Sequence, residues 1–152
     1  MDGQKRIAFV AHDAVKPTLA AWAFANERAL SLHALSATGN TGRAIMDATG
    51  LEVNCLRSGA LGGDFELGAL IADACIDVLI MFTDPLTAKP HDIDPGPLLR
   101  VANIAQIAVA LTETTADFLI RSELMTRPYN RSGGRPALPA VPHRLDRRRG
   151  IA

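Results

Sequence analysis

The sequence has no apolar run long enough to cross a bilayer and no secretory leader pattern. Its first residues, M-D-G-Q-K-R, run straight into a strand-like segment, so a cytoplasmic location is the expectation. Cysteine is scarce. Cys55 and Cys75 lack metal-ligand spacing, and reduced thiols are expected. Aromatic residues make up 5% of the chain and hydrophobic residues 48%, a balance that suits an ordinary α/β domain. Net charge is also missing: 16 basic residues meet 16 acidic ones. That removes the bulk positive charge on which nucleic-acid binding rests.

The charge is unevenly spread. Of the 16 basic residues, eight are arginines crowded between Arg121 and Arg149, with only Glu123 and Asp146 to offset them. The body is acidic and the C-terminal segment basic. At 152 residues the chain is long enough for one domain with a core.

Ile7 to Ala11 (I-A-F-V-A) is a short apolar run, as expected of a strand buried on both faces. A helix is expected over residues 14–29, with Pro17 in its first turn. Further strands are expected at 32–37, 53–56, 77–82 and 107–111. Helices are expected around Ile45 and Met46, over 65–74 and over 98–105. A last helix is expected over 114–122, capped by Thr114 or Thr115. Residues 83–97 hold four prolines and read as a loop. Strand and helix alternate five times, which predicts a parallel sheet with helices on both faces. After Ser122 the pattern stops. R-P-Y-N-R-S-G-G-R-P-A-L-P-A-V-P cannot build a core alone and reads as a mobile or partner-dependent tail.

Ligands of such sheets bind beyond the carboxyl ends of the strands. The polar clusters fall at those ends: His12-Asp13, then Thr38-Gly39-Asn40-Thr41-Gly42, then Ser58-Gly59 to Asp64, then Thr83-Asp84 followed by His91 and Asp94. T-G-N-T-G ahead of a helix offers hydroxyls and amide groups to an anion, or is merely a tight turn with a Thr cap. Lys16 can add a full charge there, or be a solvated surface lysine. S-G-A-L-G-G-D lacks the Lys-Ser/Thr ending of a Walker loop. By position alone Asp64 reads as a helix N-cap, Asp84 as a turn opener and His91 as a surface residue. No Ser-His-Asp order, zinc spacing or catalytic-cysteine context stands out. Carboxylates, histidines and hydroxyl/glycine loops remain. They are equipment for proton transfer on a small phosphorylated compound.

Together V-A-H-D-A-V-K (10–16), A-T-G-N-T-G (37–42), S-G-A-L-G-G-D (58–64), D-V-L-I-M-F-T-D-P-L (77–86), P-H-D-I-D (90–94) and T-A-D-F-L-I (115–120) resemble the methylglyoxal synthases. The resemblance runs from about residue 6 to 122 and is nearly ungapped. It implies a single Rossmann-like three-layer α/β domain over 1–122, with a five-stranded parallel sheet, followed by an Arg/Pro-rich tail over 123–152. It implies conversion of dihydroxyacetone phosphate to methylglyoxal and inorganic phosphate, without metal or organic cofactor. A homohexamer inhibited by phosphate is implied, with no nucleic-acid or membrane partner.

The resemblance also implies roles. Asp64 matches the aspartate that removes the carbon-bound proton. His91 matches the histidine that polarises the carbonyl. His12, Lys16, Thr38, Gly39, Asn40, Thr41, Ser58 and Gly59 match substrate and phosphate positions, and Asp13, Asp84 and Asp94 supporting acids. Asn40 stands where many members have threonine. Members continue with a segment whose arginine reaches a neighbouring subunit, and neither Arg127 nor Arg131 can be matched to it. Two rivals stay open: a non-catalytic effector-binding domain of the same fold, and a nucleic-acid adaptor using the arginine-rich tail.

Overall fold

The computed structural model describes residues 1–86 and 94–131. His91, with the rest of 87–93, and residues 132–152 lie outside the described residues. The strands are β1 (Arg6–Ala11), β2 (Ala34–Thr38), β3 (Asn54–Leu56), β4 (Val78–Phe82) and β5 (Ala108–Ala110). They form one parallel sheet in the order β3-β2-β1-β4-β5. The helices are α1 (Lys16–Ala25), α2 (Glu27–Leu30), α3 (Gly39–Thr49), α4 (Gly63–Ala72), α5 (Pro95–Ala105) and α6 (Glu113–Ile120).

The unbroken apolar strands follow from burial on both faces. Ile7, Phe9 and Ala11 of β1, with Ile80 and Phe82 of β4, meet α1, α3 and α6 through Leu19, Trp22, Ile45, Ala116 and Ile120. Ala8, Val10, Leu79 and Met81 point the other way, onto Leu67 and Ile71 of α4 and Leu98 and Ala102 of α5. Burying one such large side chain stabilises the fold by about 1.5–3 kcal/mol. The result is three layers, as the sequence predicts.

Several local boundaries differ from the sequence reading. The first helix is not continuous over 14–29: a 3₁₀ turn at Asp13–Val15 precedes α1, and Asn26 separates α1 from α2. The loop after β4 is shorter than read, because α5 starts at Pro95 with Asp94 as its cap. The cap of α6 is Thr112 rather than Thr114 or Thr115. Its Oγ1 accepts from Thr115 N at 3.2 Å. α3 ends at Gly50, whose φ of 72° is the left-handed turn that favours glycine.

Residues 123–131, the described part of the expected tail, lie against the amino-end edge of the sheet. Met125 is buried in the first apolar cluster. Lys5 Nζ donates to Arg127 O at 2.6 Å, and Tyr129 N donates to Met1 O at 3.1 Å. Arg131 donates to Asp77 Oδ1 at 2.6 Å and to Ile76 O at 3.0 Å. Among the described residues no helix is long and apolar enough to cross a membrane.

Candidate active site

The sheet order changes direction between β1 and β4, and the polar residues gather at the carboxyl ends of these strands and their neighbours. His12 leaves β1 with its N–H bonded to Phe82 O at 3.1 Å. Its ring is buried, and Nδ1 accepts from the backbone N–H of Asp84 at 3.1 Å. A nitrogen that accepts carries no proton, so in the neutral ring Nε2 holds it and is a donor. Asp84 Oδ1 accepts from Leu86 N at 2.9 Å, which shapes the turn after β4. Asp13, in the 3₁₀ turn, pairs with Lys16 at the head of α1. Their spacing of three puts both on one face.

Thr38 closes β2 and occupies the N-cap position of α3. Its hydroxyl donates to Thr41 Oγ1 at 3.2 Å, and both residues are buried. Gly39 and Asn40 fill the first helical turn, whose amide groups face outward from the helix end and suit an anion. Gly39 N donates to Arg57 O at 3.1 Å, which joins this turn to the next one. Ser58 precedes a 3₁₀ turn at Gly59–Leu61, and Ser58 O accepts from Leu61 N at 2.9 Å and Gly63 N at 3.0 Å. Gly62 turns the chain into α4 with φ at 85°.

Asp64 is therefore not the N-cap of α4, as its position in the sequence suggested. It is the second residue of that helix, after Gly63, and Gly62 holds the cap position. Its Oδ1 is buried and finds no hydrogen-bond partner among the described residues. A buried carboxylate oxygen left unbonded is costly, and such exceptions call for an explanation. The carboxylate of Asp94 accepts from Gly96 N at 2.9 Å and caps α5. The heads of α3 and α4 are thus linked through the backbone of Arg57 and Ser58, bonded by Gly39 N and Gly63 N, and His12 is linked to Asp84 through its ring. Among the described residues no cluster of three His, Cys, Asp or Glu is arranged to hold a metal ion.

Sequence reading passed over three residues of this region. Arg57 bonds with its backbone: its carbonyl serves Gly39, and its N–H donates to Glu66 Oε2 at 3.1 Å. A Cβ built on Gly63 would lie 2.0 Å from Arg57 O. The doubled glycine ahead of Asp64 was the available signal of such close approach. Glu66 gave none.

A parallel sheet covered on both faces, with helix heads and polar turns at its carboxyl edge, defines a Rossmann-like α/β domain. The model of the MGS-like domain matches residues 20–111. The chain is 47% identical over 131 residues to a methylglyoxal synthase of Clostridium acetobutylicum, covering 86% of this chain and 90% of that protein. It is 51% identical over 123 residues to one of Yersinia pestis, covering 81% and 80%. A crystal structure of methylglyoxal synthase from Elizabethkingia anophelis superposes with a TM-score of 0.83 at 40% identity, over 85% of each chain. The chain belongs to the methylglyoxal synthase family, a family of lyases.

Proposed function

We propose that this protein converts dihydroxyacetone phosphate to methylglyoxal and inorganic phosphate, with Asp64 as the base. The observation that carries the reading is the unbonded, buried Oδ1 of Asp64 in the first turn of α4, whose Gly63 N–H bonds to Ser58 O, one residue from the Arg57 carbonyl that takes Gly39 N. An acceptor without a partner is ready to take a proton. Amides and hydroxyls close by are ready to hold a phosphate.

The chemistry follows from the substrate. A proton on the hydroxyl-bearing carbon beside a ketone is weakly acidic. Removal needs a base at contact distance and a donor to the developing oxygen charge. Asp64 takes that proton, and the electron pair moves into an enediolate. His91, from the family resemblance, donates to the enediolate oxygen. His91 also passes the hydroxyl proton of the first carbon to the middle oxygen. The first carbon's oxygen pair then forms the aldehyde C=O, and the C=C pair shifts toward the far carbon. The C–O bond there, held perpendicular to the enediolate plane, breaks with its pair leaving on phosphate. The enol left behind tautomerises to methylglyoxal. Lys16, held by Asp13, and the two turns carry the departing anion, and Nε2 of His12 adds a neutral donor.

The exposed Phe24, Phe65 and Phe118 support a homo-oligomer, a hexamer on family grounds, which sedimentation checks. The central test is direct. Purified protein is given dihydroxyacetone phosphate, and methylglyoxal and phosphate are measured together. Equal amounts of both are expected. Folded protein that releases neither refutes the enzymatic reading and favours an effector-binding domain.

A further inference from the structure

We infer that Gly63 is a positioning residue, whose missing side chain sets the distance between Asp64 and the Ser58–Gly59 turn. The inference rests on the proposed role of Asp64 as base. Gly63 is buried in the first turn of α4 and is not among the glycines with positive φ. At such a position alanine suits the helix better than glycine does. Backbone freedom therefore does not explain the residue.

Close approach does. A Cβ on Gly63 would stand 2.0 Å from Arg57 O, 2.8 Å from Arg57 C and 3.1 Å from Ser58 C. These are backbone atoms and cannot swing aside. From the other side a Cβ on Gly39 would stand 3.0 Å from Leu56 O and 3.3 Å from Ser58 N. The Arg57–Ser58 peptide is thus gripped between two bare Cα atoms, one at the head of α3 and one at the head of α4. Hydrogen bonds complete the grip: Gly39 N to Arg57 O at 3.1 Å, Gly63 N to Ser58 O at 3.0 Å and Arg57 N to Glu66 Oε2 at 3.1 Å. Three successive peptide units, from Leu56–Arg57 to Ser58–Gly59, therefore tie both anion-suited turns to the helix that carries the base. Elimination needs the proton acceptor and the leaving-group site in fixed register across a three-carbon substrate. A side chain at residue 63 would push α4, and Asp64 with it, off that register.

The test is Gly63→Ala beside wild type, with kcat, KM and inhibition by inorganic phosphate measured, and folding followed by circular dichroism. A misplacement of about 1 Å costs on the order of 10²-fold in rate. We expect that loss in kcat, with KM and phosphate inhibition moving less than about threefold, since uniform binding is kept. In an Asp64→Asn background the same substitution is expected to cost no further turnover. A second variant covers failure of the first to fold. Glu66→Ala loosens the adjoining Leu56–Arg57 peptide without crowding the segment. It is expected to lower kcat several-fold at constant KM, and Glu66→Gln to restore it. Unchanged kcat in the folded variants of an active enzyme overturns the inference, as does full additivity with Asp64→Asn. Absence of product from wild type is a separate result and defeats the proposed reaction instead.

Discussion

The backbone N–H of Asp84 donates to Nδ1 of His12 across 3.1 Å, joining the ends of the two central strands. The contact fixes which nitrogen of a buried ring offers its proton to the site. Nitrogen NMR of the imidazole should show Nε2 as the protonated nitrogen of the neutral ring, and a neutral ring with its proton on Nδ1 would contradict the assignment. His12→Ala leaves the Asp84 amide without this acceptor, at a cost of about 1 kcal/mol in stability. It also withdraws a donor from the anion site, so KM for dihydroxyacetone phosphate should rise.

Asp64→Asn should separate activity from stability. General base catalysis contributes roughly 10²–10⁴-fold, and turnover should fall by that order. The melting temperature should hold, because the buried Oδ1 makes no hydrogen bond to lose among the described residues. An amide oxygen can occupy its place without a charge to bury. A variant that melts far below wild type would assign Asp64 a structural job, and near-normal turnover would remove it from the base role.

The same residues explain what could be read from sequence. Ile7–Ala11 and the segment through Phe82 announced themselves because strands covered on both faces need unbroken apolar runs. Cap assignments were weaker. The T-E-T-T stretch offers three threonines of equal capping power, and only the backbone chooses Thr112. The start of α4 was read late, at Phe65, because Gly62-Gly63 has poor helix propensity. The wiring between the heads of α3 and α4 runs through the backbone of Arg57, where side-chain identity carries no information. Asp94 caps α5, a bond the sequence reading did not assign to it. Arg131 was invisible as a partner, since Asp77 lies 54 positions away.

That distant pairing carries its own prediction. Asp77 is 1% exposed and takes bonds from Arg6 Nε and Nη2 at 2.9 Å, Arg6 N at 3.0 Å and Arg131 Nη2 at 2.6 Å. Burial alone would push its carboxyl up. The bonds and charge of Arg6, joined by Arg131, outweigh burial and hold it below the usual 3.8. Asp77→Ala strands two guanidinium groups. Removing one partner of a buried pair costs about 3–5 kcal/mol, and the half-exposed Arg6 places this variant at the lower end. The cluster sits at the opposite edge from the site, so KM should not move. Because the carboxyl is depressed, its stabilisation is complete above about pH 3.8 and drains away as pH falls below that value. Urea titrations of wild type and Asp77→Ala between pH 6 and 3 should therefore draw closer toward the acid end, and parallel curves would exclude the linkage.

His33 should govern a second, milder window. It is buried, and its Nδ1 accepts from Lys5 N at 3.2 Å. Burial, and then the charge of Lys5, lower its pKa from the usual 6.5. The unfolded chain therefore takes up the proton first as pH falls. Protons bound by the unfolded state favour unfolding, so stability is full above about 6.5 and declines below it, until the folded form also protonates. One site can contribute a slope of at most about 1.4 kcal/mol per pH unit. His33→Gln keeps a carbonyl oxygen to accept from Lys5 N and abolishes the titration. Its urea midpoint should stay level between pH 7.5 and 5.5 while that of wild type falls. Equal slopes for the two proteins would assign the decline to other groups.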